Sequence, residues 1–71
     1  MKYLIILEKT STGYSAYSPD LPGCASAGDT VDETEANMRE AIEFHIDGML
    51  QEGLTIPVPQ SHASYVEITA Q

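Results

Sequence analysis

Three kinds of side chain in this 71-residue sequence have reactive chemistry: one cysteine, two histidines and eleven carboxylates. For Cys24 to act as a nucleophile it needs a histidine base and a third group to orient that base. His45 lies inside a helical repeat and His62 in a late loop, and no spacing ties either one to the thiol. A lone cysteine among small residues behaves as a small buried hydrophobe, and Cys24 is read that way. His45 falls on an apolar helix face between Ile42 and Met49, so it reads as a core or interface histidine. The two histidines also lack a second thiol to complete a zinc site. Among the acids, Glu8 and Asp20 stand at strand ends, where a metal nuclease places ligands. Such a site needs several carboxylates converging on one or two ions. The helix acids point away from the sheet by their period, so convergence is not expected. No catalytic, cofactor-binding or metal-binding residue is assigned, and the chain reads as a binding protein and not an enzyme.

Charge indicates what it binds. Three basic residues, Lys2, Lys9 and Arg39, stand against eleven acids, giving a net charge of −8 and an isoelectric point near 4.2. Nucleic-acid binding draws most of its affinity from Lys and Arg on phosphates, so this chain alone is expected to bind none. A basic protein is the complementary partner, since opposite potentials steer encounter. The plainer alternative is that the acidity serves solubility. Between Asp29 and Glu52 eight acids face the single base Arg39. Glu40, Glu43 and Asp47 are the candidates for steering. Phe44 lies off the centre of the apolar stripe, near Gly48. There it is either an exposed anchor for a partner or a lid folded over the core edge, and the Leu21 loop is the other candidate anchor.

These residues need a scaffold. Tyr3–Leu7 is aliphatic and β-branched and reads as a strand buried on both faces. Thr10–Gly13 is a turn, and Tyr14–Ser18 alternates with the period of a half-buried strand. Pro19-Asp20-Leu21-Pro22-Gly23 stops that strand, the prolines reading as a turn and not as a polyproline ligand. Cys24–Gly28 reads as a third short strand or as loop. Thr30-Val31-Asp32-Glu33 has the form of a capping box and opens a helix. Val31, Met38, Ala41, Ile42, Ile46 and Met49 form its apolar face, and Gly53 closes it. Tyr65–Thr69 reads as a last strand, returned beside the first by a right-handed crossover. The expected fold is therefore α+β, a single β-β-β-α-β domain over residues 1–71. Its mixed sheet has the order three-two-one-four, with one helix on one face.

Size and composition set further limits. A chain this short has a marginal core, with no disulfide or metal to brace it, so self-association is the expected support. A free thiol fits a reducing compartment. The five apolar residues after Lys2 are too few for a signal peptide or a membrane span. A soluble cytoplasmic protein is expected.

From Tyr14 to Ser61 the sequence resembles the HicB-like antitoxin family of type II toxin-antitoxin systems. The residues that carry the likeness are Gly13-Tyr14-Ser15-Ala16-Tyr17, Pro19-Asp20-Leu21-Pro22-Gly23-Cys24, Gly28-Asp29-Thr30 and Asn37–Glu43. Glu52-Gly53 and Ile56-Pro57-Val58-Pro59 complete it. The resemblance implies a partial RNase H-like domain and a partner, a small basic RNA-cleaving HicA-type toxin that is silenced by direct contact. It also implies assembly as dimers or tetramers. An orphan HicB-like regulatory domain without a cognate toxin is the alternative. Many members carry a DNA-binding module after this domain, and this sequence ends before one begins. Glu35 is polar where the family is often apolar.

Overall fold

The computed structural model describes residues 1–70. Its elements in chain order are β1 (Ile6–Lys9), β2 (Tyr14–Tyr17), β3 (Ala25–Gly28) and α1 (Val31–Gln51). The strands form one antiparallel sheet in the order β1-β2-β3, with α1 laid over β3 and β2. The α+β class, the meander and the single helix on one face are as the sequence indicates. The third element is a strand, which settles the alternative left open for Cys24–Gly28.

Local chemistry accounts for each boundary. In the β1–β2 turn the Thr10 N–H bonds Gly13 O at 2.9 Å, and Thr10 Oγ1 accepts from the Gly13 N–H at 3.0 Å. That turn sets the register Ile6↔Tyr17 through Lys9↔Tyr14, and Lys9 Nζ stands 4.9 Å from the Tyr14 ring centroid. The ladder therefore spans Ile6–Lys9 and not Tyr3–Leu7. None of Tyr3–Leu7 is fully buried, because no strand lies on the outer side of this segment. In β2 the even positions turn inward, Ala16 and the following Ser18 being buried and Tyr17 exposed. The inward serine is satisfied by donating from Oγ to Leu4 O at 3.0 Å.

The helix start follows the capping pattern with one shift. Thr30 Oγ1 accepts from the Glu33 N–H at 3.1 Å, but Glu33 Oε2 accepts from the Asp29 N–H at 3.3 Å and not from that of Thr30. Such a cap is worth about 0.5–2 kcal/mol. Gly53 has φ +72°, and its N–H bonds Leu50 O while the Leu54 N–H bonds Met49 O. That pair of bonds is a Schellman stop, and it needs a left-handed residue where glycine carries no Cβ penalty.

The core consists of Ala16, Leu21, Cys24 and Met38, rimmed by Tyr3, Ile5, Leu7, Ala41 and Ile42. Thr34, absent from the apolar face read in the sequence, is fully buried beneath the first helical turns. Its Oγ1 donates to Thr30 O at 2.7 Å, so the hydroxyl carries no unpaired polarity into the core. A Cβ at Gly28 would sit 2.8 Å from Thr34 Oγ1, and one at Gly13 would meet the Gly28–Asp29 backbone, with Asp29 Cα at 2.9 Å. Helix start, β3 and the approach to β2 thus stack backbone on backbone. Asn37 Nδ2 adds a bond to Ala27 O at 2.8 Å.

The last strand does not form. Residues 54–70 carry no regular structure, and among the described residues the sheet has no fourth, parallel member, so it is antiparallel throughout and not mixed. Tyr65, Val66 and Ile68 are exposed, and Tyr65–Thr69 pairs with no strand of the sheet. The radius of gyration is 14.2 Å, against about 11 Å for a compact chain of this length.

Candidate functional site

The helix presents three distinct sides. Thr34, Met38, Ala41 and Ile42 turn toward the sheet. Glu40, Phe44, Asp47 and Gln51 fall on the side facing away, at helical spacings of three and four. Phe44 is 82% exposed, so it does not cover the core edge; the sequence left that choice open and the structure resolves it. Glu40 and Asp47, one turn to either side, are exposed, and Asp47 Oδ2 accepts from Gln51 Nε2 at 3.0 Å. An apolar ring held between carboxylates on a rigid helix suits a basic surface with a hydrophobic pocket.

The third side borders a groove of ≈ 1110 Å³ between α1 and the N-terminal segment. Tyr3 and Ile5 form one wall, and Met38, Ile42, Ile46 and Leu50 the other. Glu43 lines this groove rather than the outer face, with Asp47 at the boundary between the two. The steering acids read as one surface therefore divide between two.

Leu21 occupies a different place from the one expected. It is 0% exposed and packs in the core, so in the folded domain it offers no surface to a partner. The reason is local: the Leu21 N–H bonds Ser18 O, and Leu21 O accepts from the Cys24 N–H, coiling the loop so that the leucine points inward. Pro22 and Gly23 form the exposed outside of that loop.

Among the other reactive residues, Cys24 is buried, and desolvation pushes its thiol above the usual cysteine range, toward the un-nucleophilic protonated form. His45 is half-buried and His62 exposed. Among the described residues no three His, Cys, Asp or Glu side chains are grouped to hold an ion. No helix there is long and apolar enough to cross a membrane.

Asp20 has a role that no local pattern announces. Its carboxylate accepts from the Ser61 N–H at 3.1 Å, from Ser61 Oγ at 3.0 Å and from the Gln60 N–H at 3.1 Å. The Ser61 backbone bond leads in lowering its pKa, helped by the bonds from Gln60 N–H and Ser61 Oγ and opposed by desolvation. Tyr3 adds a bond from its hydroxyl to Pro57 O at 2.6 Å. The segment after the helix is thus fastened to the β2–β3 loop.

The likeness to known proteins agrees with this architecture. The family described as HicB-like antitoxin of bacterial toxin-antitoxin system matches residues 3–70. The chain belongs to the HicB-like antitoxin family. An uncharacterised 14.9 kDa protein of Haemophilus phage HP1 is 46% identical over 66 residues, covering 93% of this chain and 50% of that protein. A UPF0150 protein of Thermoplasma acidophilum is 38% identical over 58 residues, 80% of this chain and 84% of that one. Antitoxin HicB 2 of Photorhabdus laumondii is 30% identical over 71 residues, 99% of this chain and 51% of that protein. This HicB-like chain thus spans about half the length of the phage and Photorhabdus relatives. Among solved structures, a chain of a HicA3 and HicB3 toxin-antitoxin complex superposes with a TM-score of 0.74 at 37% identity. The match covers 83% of this chain and 70% of that one.

Proposed function

We propose that this HicB-like domain is an antitoxin that neutralises a small basic HicA-type toxin by direct contact, without catalysis of its own. The observation that carries the reading is Phe44, an 82% exposed aromatic on the outer helix face of a chain with net charge −8. Exposed aromatics are enriched at interface hot spots, and a ring of charge steers approach without itself supplying much affinity. Glu40 and Asp47 beside Phe44, with Glu43 on the adjoining groove side of the helix, provide that charge. The HicA3–HicB3 complex among the similar structures supports a partner of this kind. The domain works in the cytoplasm, where its free thiol stays reduced, and its charge keeps it off nucleic acid. It self-associates to supplement a four-residue core.

Binding kinetics with a HicA-type protein test the reading. Phe44→Ala raises the dissociation rate about 30-fold, the equivalent of a 2 kcal/mol hot spot. Glu40→Lys, Glu43→Lys and Asp47→Lys together slow association and flatten its salt dependence. Unchanged rates in both variants mean that the outer helix face is only a solvated surface.

A further inference from the structure

The sheet is open along the outer side of β3, and the hydrogen-bond pattern fixes which backbone groups face outward there. The Ser18 N–H bonds Cys24 O at 3.3 Å, so Ser18 and Cys24 stand opposite each other as a hydrogen-bonded pair. Such pairs alternate along an antiparallel ladder. In the register Tyr17↔Ala25, Ala16↔Ser26, Ser15↔Ala27, the N–H and C=O groups of Ala25 and Ala27 therefore point away from β2. Ala27 O bears this out, since it accepts from Asn37 Nδ2 of the helix. Among the described residues the Ala25 N–H, the Ala25 C=O and the Ala27 N–H take no bond from another segment, and no strand lies beside β3 on that side. Open edges are ordinarily guarded by a lysine, a proline or a bulge. Ala25-Ser26-Ala27-Gly28 has none of the three, whereas β1 at the other edge carries Glu8 and Lys9.

We propose that the β3 edge receives an extended, basic strand of the protein partner, laid along the border between the sheet and the outer face of α1. This rests on the antitoxin reading above and adds a main-chain contact to the side-chain anchor at Phe44. Helix and edge form one surface. Thr34 packs on Gly28 and Asn37 bonds Ala27 O, so α1 runs back along β3. Phe44 comes seven residues after Asn37, about 10 Å further along the helix and within about 20° of the same line on its surface. Charge selects the occupant. Asp29 follows the strand, Glu33 and Glu40 stand one turn to either side of Asn37, and all three are exposed. The basic residues lie elsewhere: Lys2 and Arg39 line the groove on the other flank of the helix, and Lys9 stands over the Tyr14 ring. A second copy pairing through the same edge would set its own Asp29, Glu33 and Glu40 against this strip and be repelled. The chain's own residues 62–70 bring Glu67 and no lysine or arginine. A strand with Lys or Arg on the side that rises toward the helix meets Glu33 and Glu40 with opposite charge.

Amide exchange by NMR on the full chain tests the contact, with a HicA-type protein as the probe. The Ala25 and Ala27 amides are expected to exchange rapidly in the free chain and at least about 10-fold more slowly in the complex. Ala25→Pro removes an outward N–H that the chain's own ladder does not use, and edge positions of this kind accept proline. It is expected to weaken binding about 10-fold with helical circular dichroism unchanged. Slow exchange of both amides in the free chain would mean that the tail or a second copy already covers the edge, and overturns the proposal. Amides that stay fast in a complex still weakened by Phe44→Ala remove the strand contact and leave the antitoxin reading in place. The absence of any complex with the unaltered chain removes both.

Discussion

The two flanks of the helix are built to different standards. On the flank toward β3, Gly28, Thr34 and the Gly13 backbone meet with no room for an added methyl, and Met38 and Leu21 are sealed from water. On the flank toward β1, Ile42 and Ile46 are only half covered, and Leu50 is exposed over an open groove. The same helix and the same apolar period serve both, so residue type does not make the difference. What differs is what lies opposite: β3 fills one side, and among the described residues only the N-terminal segment, across an open groove, faces the other. A small domain can thus have a fully packed half and a half left open.

The comparison breaks most readily at Met38. Met38→Ala is expected to cost about 2–5 kcal/mol in urea unfolding, as a fully buried side chain leaves a cavity. Phe44→Ala on the outer face is expected to stay within about 0.5 kcal/mol. Equal losses at the two positions would mean that the packed flank is not what holds the fold. Gly28→Ala is expected to cost about 1–3 kcal/mol, since its methyl would lie 2.8 Å from Thr34 Oγ1 and 2.9 Å from the Thr34 backbone nitrogen. A neutral substitution there would show that helix and β3 separate easily. The smallest effect concerns Asp20. Its folded pKa is below the ordinary value, so its hold on the tail is fully present above the unfolded aspartate pKa and is lost as pH falls through the folded one. Amide exchange or relaxation at Gln60 and Ser61 should therefore report loosening only in acid, and Asp20→Asn should loosen them already at neutral pH.

Much of the packed flank was legible in the sequence. The cap at Thr30, the stop at Gly53, the inward Met38 and the prolines that end β2 are all local signals, each acting within a few residues of itself. The features that escaped reading depend on distant partners. The aliphatic run Tyr3–Leu7 marks where the chain is apolar, while the Thr10–Gly13 turn decides where it pairs, which moves β1 to Ile6–Lys9. Leu21 looks like a loop tip until the bonds at Ser18 and Cys24 coil it inward. Asp20 and Ser61 are 41 positions apart, and only the folded chain brings them together. Tyr65–Thr69 reads as a last strand and forms none, because a β pattern alone does not bring a segment to an edge. Of the candidate site, the exposure of Glu40, Glu43 and Asp47 follows from helical period, while the exposure of Phe44 and the division of the acids between outer face and groove needed the folded chain.

The burial of Cys24 has a consequence for redox chemistry. The only sulfhydryl of the chain is both walled in and held protonated by its surroundings. Oxidants and alkylating reagents act on thiolate that reaches solvent. In the closed domain neither condition is met, so the sulfur is spent only during excursions in which the core opens. An oxidising burst would leave folded molecules intact and mark those caught open, making irreversible damage at this one atom a running record of how often the domain comes apart.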